Sequence, residues 1–376
     1  MTNQASICRV SDWFTSLGLA EAFEFGPGTQ KFVDDYMALK DQTFNPVLKS
    51  AGNVDVNKFN PLSKVTNGNP WTAQFENQNR VNEIKLDIDR TYQDMAFFKD
   101  ANVRKSLINV LFVFGKTMNI PYRQGMNEIV AILFHAVSHA VDASRAQDPA
   151  ETRLDMKEGV TYGMLSSLML QVGIVDFFLT HSVLHKEVSG SPSPLLDRCE
   201  KIFDLLCQKD ARLHKHLVMN DISPNLFLLR WIRLLFSREF TFNKTLVIWD
   251  HFFASLKSGV AARFAFPSFI DYFAIAMILN VRNTLLTSDN SGCFTTLLKY
   301  PETSDVESLI SMATQLRTGA PAPVAPMIAV TGVTKRDRVV TDLASVIDDL
   351  RKSQVAQNIQ REIEKLEEVV NFLRPT

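Results

Sequence analysis

From residue 103 onward, apolar side chains return every three or four positions: Val103, Leu107, Val110, Leu111 and Phe114 share one helical face, and Asn119 with Pro121 ends the run. Asn102 is the expected N-cap. A second, more apolar helix is expected to start near Gly125 and continue through "MNEIVAILFHAVSHAV". Similar periodic runs cover about 161–180, 194–218, 224–238, 243–257 and 267–286. No run of alternating, β-branched residues punctuated by hairpin turns competes with them. The expected fold class is all-α.

Two stretches break the pattern. "DASRAQDPAETRLDMKEG" (142–159) is polar and aperiodic, and "HKEVSGSPSP" (185–194) is rich in Ser, Pro and Gly. Both are expected as surface loops, where contacts with further proteins are easily accommodated. A Pro/Ala/Gly linker is expected over 318–334 and an amphipathic helical tail over 335–376. In that tail Ile359, Ile363, Leu366, Val370 and Leu373 fall at 4-3-4-3 spacing. Two heptads leave two readings open: a short coiled coil with another chain, or a helix folded back on the main domain. No internal repeat of fixed period suggests a solenoid.

Composition narrows the function classes. Of the 376 residues 46% are hydrophobic, so a chain of this length can place most of its 27 phenylalanines in a core without invoking a cofactor. Lysine plus arginine (40) nearly cancels aspartate plus glutamate (41), and no basic stripe stands out, so nucleic acid is not an expected partner. Cys8, Cys199, Cys207 and Cys293 have neither CxxC spacing nor a disulfide framework, as expected for a cytoplasmic location, and no metal site is anticipated. The opening "MTNQASICRVSDWF" does not read as a secretory signal. The stretch "FAFPSFIDYFAIAMILNV" (264–281) carries Pro267 and Asp271 and reads as a buried helix, not a membrane span. His181, His185, His214 and His216 form no HExxH motif and read as surface or capping residues; GxSxG and P-loop signatures are also lacking.

Two side chains stand out. Gln124, in "IPYRQGMNEIVAILF" (120–134), precedes a strongly apolar helical run, and Gly125 supplies a permissive backbone beside it. An uncharged donor-acceptor there can cap the helix or reach outward. Thirty-four residues earlier, Arg90 lies in "IKLDIDRTYQDMAFF" (84–98), with Asp87 and Asp89 before it, Thr91 after it, and the aromatic pair Phe97 and Phe98 beyond. Its guanidinium can form an ordinary surface ion pair or present a planar fork to an anion. Each residue alone has a plain structural reading; the pair carries the suggestion of chemistry.

These segments carry a resemblance. "IKLDIDRT" resembles the Ile-x-x-Asp-x-x-Arg-Thr motif of TBC-domain GTPase-activating proteins, and "YRQGMNE" resembles their Tyr-x-Gln-Gly-Met-Asn motif, in the same order. "LFLLRWIRLLFSREFTFNKTLVIWDHFFA" (226–254) is similar to a third signature, with Trp231, Phe236, Phe240, Trp249 and Asp250 in place and Thr241 where many members have proline. The likeness runs from about 33 to 302, and favours the subgroup that acts on late-endosomal and autophagic traffic.

The resemblance implies a two-lobed TBC domain over 33–317, with the finger-bearing lobe ending near 185, preceded by an N-terminal extension, 1–32. It implies that Arg90 is an arginine finger and Gln124 a glutamine finger, supplied in trans to a Rab-family GTPase that itself holds GTP and Mg²⁺. The chain would need no cofactor of its own. Asp87 would hold the guanidinium's approach, Tyr122 and Asn127 would fix the Gln124 loop or touch the GTPase switch region, and Gly125 would support the finger; Asp87, Tyr122 and Asn127 also have packing or capping readings. Trp249 and Asp250 are expected as a scaffold pair, with the indole in the core and the carboxylate capping or bridging helices. Recruitment to endosomal or vesicle membranes would be peripheral, through the prenylated GTPase, and the tail and loops are the expected sites for a trafficking-complex partner. The other reading of the same fold is a catalytically silent scaffold or Rab effector.

Overall fold

Among the described residues the chain is helical where the sequence repeats at helical spacing, but several of the expected runs are broken. The computed structural model describes residues 3–19, 27–44, 70–146, 148–179, 193–256, 266–303 and 305–319. Among the described residues every regular element is helical. A first group comprises α1 (Asn3–Ser16), α2 (Pro27–Phe44), α3 (Pro70–Asp89), α4 (Ala96–Lys99), α5 (Ala101–Thr117), α6 (Met126–Ser144) and α7 (Ala150–Ser166). A second comprises α8 (Pro194–Lys209), α9 (Ala211–Met219), α10 (Asn225–Arg233), α11 (Phe242–Leu256), α12 (Phe269–Asn280), α13 (Arg282–Leu286), α14 (Asn290–Leu298) and α15 (Val306–Thr318).

The N-cap of α5 is Asp100, not Asn102. Its carboxylate accepts the N–H groups of Asn102 at 2.7 Å and Val103 at 3.1 Å, satisfying two orphan donors of the first turn. The run expected at 161–180 is not one helix: α7 gives way to a π-helical turn, Ser167–Gln171, and after Gly173 to a 3₁₀ turn, Ile174–Phe177. The run at 194–218 divides at Asp210, whose carboxylate caps α9 through Leu213 N–H at 2.9 Å and pairs with Arg282. The run at 267–286 divides at Val281, between α12 and α13.

Helix α6 is the axis of the first group, packed by α1, α5 and α7. From Met126 to Phe134 all of its side chains are buried, so its sequence shows little polar face. Helix α12 plays the same part in the second group, against α8, α10 and α15. Its buried Asp271 closes a capping box with Ser268 and receives Arg198 through two bonds of 2.7 and 2.6 Å. That pairing explains an aspartate in an otherwise apolar run. Among the described residues no helix is long and apolar enough to cross a membrane.

The loop expected over 142–159 is corrected. The segment 142–159 is not a surface loop, because α7 starts at Ala150 and Glu158 lies buried inside it. Glu158 accepts the Tyr36 hydroxyl at 2.8 Å, Lys40 Nζ at 2.7 Å and Asn109 Nδ2 at 3.2 Å. Its charge is compensated from α2 and α5, so the polarity of the stretch does not report exposure. Helix α1, within the stretch expected as an N-terminal extension, packs into the core. Trp13 is fully buried, its ring 4.8 Å from Phe253 and 5.9 Å from Trp249, and its Nε1 donates to Asp250 at 2.9 Å. Arg9 adds two bonds of 2.7 Å to the same carboxylate, so Asp250 bridges α1 and α11. The indole of Trp249 is buried and donates to the Leu235 carbonyl at 3.0 Å. The linker beyond residue 319, the heptad tail, most of the 185–194 stretch, His181 and His185 lie outside the described residues.

Candidate functional site

Helix α3 unwinds at its C-terminus in a tight turn. Arg90 N–H bonds to the Asp87 carbonyl at 3.3 Å and Thr91 N–H to that of Ile88 at 3.0 Å, after which Tyr92 adopts a left-handed backbone, φ 44°. The aromatic residues that follow anchor the turn. Tyr92 packs on Phe98 at 5.2 Å and edge-on against Phe242 at 5.0 Å. Arg90 itself stays at the surface, its side chain 58% exposed.

The corner before α6 is built around Gly125, which has φ +104°. A Cβ there would lie 2.7 Å from Leu234 Cδ2 and 3.3 Å from Phe178, so both backbone conformation and space require glycine. Asn127 Oδ1 accepts the Gly125 N–H at 2.9 Å. Gln124 does not cap the helix: it is exposed, and its side chain makes no hydrogen bond among the described residues.

The two corners are tied together. Tyr122 donates to Asp87 Oδ2 at 2.6 Å, while Oδ1 of the same carboxylate holds Arg90. A second tie runs from Asn127 Nδ2 to Thr91 Oγ1 at 2.9 Å, and Thr91 in turn donates to the Asp87 carbonyl at 2.7 Å. Asn127 Oδ1 also lies 3.2 Å from the Tyr122 oxygen. The phenol has one proton, which the shorter contact assigns to Asp87. Burial, and then the bonded Asp87 carboxylate, raise the Tyr122 pKa far above the ordinary phenol value, so Tyr122 remains a donor throughout the accessible pH range.

Asp87, Tyr122, Gly125 and Asn127 thus form the base of the site, and Arg90 and Gln124 project from it. The base is buried and cross-linked; the two projecting side chains are not. Such a surface can present a guanidinium fork and a neutral amide to an anionic group on a macromolecule, beside the N-terminus of α6.

A further connection at this corner lies outside the motifs. Glu128, in the first turn of α6, is buried and accepts Ser237 Oγ at 3.0 Å and Arg238 Nε at 2.7 Å. The clues were a glutamate inside "QGMNEIVAILF" and an Ser-Arg pair inside "RLLFSREF", polar residues where apolar ones would continue the helical face. His135 and His139 also lie outside the motifs; they meet at 3.1 Å on α6, with His135 against Phe97 and Phe242. Of the histidines singled out from sequence, His214 packs on Phe203 and His216 contacts the Ser288 carbonyl at 3.1 Å.

The helical order defines a class of fold shared with the crystal structure of the YPT/Rab-GAP domain of Gyp1p. The two superpose with a TM-score of 0.62 at 18% identity, over 83% of this chain and 88% of that one. The chain belongs to the Rab-GTPase-TBC domain family, whose model matches residues 53–286. It is similar to TBC1 domain family member 5 of Mus musculus, 32% identical over 306 residues, and of Homo sapiens, 32% identical over 307. Those alignments cover 75% of this chain but only 36% and 37% of the relatives, so the chain spans about a third of their length.

Proposed function

We propose that the protein is a GTPase-activating protein for a Rab-family GTPase, acting in trans through Arg90 and Gln124. The observation that carries this reading is the pairing of two exposed, reaching side chains on corners joined by Tyr122–Asp87 and Asn127–Thr91. The Arg90 fork would compensate charge on the phosphate oxygens as the terminal phosphoryl bond breaks, and the Gln124 amide would orient the attacking water. GTP and Mg²⁺ would be held by the GTPase, and this chain would supply no cofactor.

Arg90 has to leave Asp87 to do so. With the guanidinium more than half exposed, such a pair contributes ~1 kcal/mol or less, whereas an arginine finger lowers the barrier by roughly 4 to 7 kcal/mol. The pair is a resting place for the side chain, and Asp87 sets its direction. Leu86, 71% exposed one turn before Arg90, offers an apolar contact for the docked GTPase.

Similarity to the member 5 proteins favours a late-endosomal Rab, an endosomal and autophagic setting, and a cytoplasmic protein recruited transiently by its GTPase. The tail, 335–376, and the 185–194 segment are the proposed sites for a coiled-coil or trafficking-complex partner. The Arg90–Asp87 pair also favours a second reading, a silent scaffold or Rab effector. Single-turnover GTP hydrolysis by a panel of Rabs separates the two. Acceleration of one or a few Rabs, lost in Arg90→Ala and Gln124→Ala, supports the activator; binding without acceleration supports the scaffold.

A further inference from the structure

The segment after α10 takes an unusual path. Leu235 and Phe236 are consecutive left-handed residues, φ 47° and 64°, and both side chains are 1% exposed. Neither is glycine, so each conformation is costly and has to be imposed by its surroundings. Phe236 N–H bonds back to the Trp231 carbonyl at 2.9 Å, and the Leu235 carbonyl receives Trp249 Nε1 at 3.0 Å. The result of this path is local. It sets Leu234 against Gly125 and delivers Ser237 and Arg238 to Glu128.

We infer that Glu128, Ser237 and Arg238 form a clamp that positions Gln124 from beneath, an assignment that rests on the glutamine-finger reading above. Glu128 lies four residues beyond Gln124, in the first helical turn, with its side chain 9% exposed. Its donors come from the other helical group, some 110 residues along the chain. The clamp therefore fixes the start of α6, and with it the corner from which Gln124 projects, against a segment whose path is held by burial and by its bonds to Trp231 and Trp249. It borders the Arg90 corner too: Tyr92, two residues past Arg90, has its pKa raised by burial first and then by the Glu128 carboxylate, with Ser237 and Arg238 opposing the rise.

Charge supplies a second reason for the pair. An unpaired carboxylate in the first turn of α6 would place negative charge where phosphate oxygens have to approach. Arg238 compensates it while keeping its own side chain 48% exposed. Glu128, Ser237 and Arg238 act here as positioning residues; none is assigned contact with the nucleotide.

The test compares Arg238→Met with the double variant Glu128→Gln/Arg238→Met, which removes the pair without leaving a bare buried charge. Amide hydrogen exchange of residues 122–128 in the free protein reads the clamp without any GTPase. Single-turnover hydrolysis, with and without Gln124→Ala, reads its effect on the finger. Both clamp variants are expected to speed exchange at the Gly125–Glu128 amides while α12 stays protected. The maximal accelerated rate should fall about tenfold to a hundredfold with the half-saturating GTPase concentration little changed, and not fall further on the Gln124→Ala background. Unchanged exchange at 122–128, or an equal rate loss with and without Gln124, overturns the inference. If the wild-type protein accelerates no Rab, the finger reading fails on its own, and the exchange measurement still decides whether the clamp orders the corner.

Discussion

The Tyr122 hydroxyl and the Asp87 carboxylate meet at 2.6 Å across 35 residues of sequence, and the other oxygen of that carboxylate holds Arg90. One buried acid thereby sets the direction of the proposed arginine finger and the position of the glutamine corner. Tyr122→Phe should uncouple them: the fold persists, since only a hydroxyl is lost, at a stability cost of about 1 to 3 kcal/mol for the under-bonded Asp87. The stimulated hydrolysis rate should drop while GTPase affinity holds, as measured by single-turnover kinetics over a range of protein concentrations.

Arg90→Lys should behave almost like Arg90→Ala. An ammonium cannot reproduce a planar fork, so both variants should lose ~10³-fold or more in the accelerated rate with unchanged thermal unfolding. Near-normal acceleration by the lysine variant would remove Arg90 from the finger role.

Leu86→Glu tests the docking face one turn before Arg90. Its side chain is exposed, so the substitution should leave the melting temperature within a degree or two. The half-saturating GTPase concentration should rise, and the rate at saturation should not. A fall in the saturated rate alone would place Leu86 outside the docked surface.

Gly125→Ala should destabilise the protein by about 1 to 3 kcal/mol, because the new Cβ meets Leu234 Cδ2 and the backbone has φ +104°. Chemical denaturation measures the loss. Wild-type stability in this variant would mean that the corner can be rebuilt without its left-handed residue.

His135 gives the fold an acid sensitivity. Burial, then the neighbouring His139 and Arg9, depress its pKa from 6.5 to about 3. A depressed histidine is neutral in the folded chain while the unfolded chain takes up a proton, so its contribution is fully present above pH 6.5 and is lost as pH falls through the window toward 3. From pH 7 to 5 this one group should cost about 2 kcal/mol of stability, and His135→Gln should flatten that part of the profile.

Much of the helical pattern was legible because amphipathic faces leave a periodic trace, as along 103–114. The site's local residues were legible as motifs: Asp87 and Arg90 lie one turn apart, and Tyr122, Gly125 and Asn127 surround Gln124. What tied them was not. The Asp87–Tyr122 and Thr91–Asn127 bonds are tertiary, and the Glu128–Arg238 pair spans 110 positions. Residues 142–159 misled for a related reason: periodicity assumes that polar means exposed, whereas Glu158 is buried among partners from α2 and α5. Helix breaks at Asp210 and Val281 likewise follow from packing between helices, with no proline or glycine at the break to announce them.

The Asp250 bridge has a consequence for how the chain is made. Arg9 and Trp13 leave a ribosome well before the carboxylate and rings that receive them, which lie some 240 positions later in the chain. At roughly 5 to 20 residues per second, α1 has to wait on the order of tens of seconds for α11 to emerge. During that time a helix bearing Trp13 and Phe14 exposes an apolar face with its final cover incomplete. The interval between the emergence of α1 and that of α11 is therefore the stage at which this apolar face is most open to a chaperone.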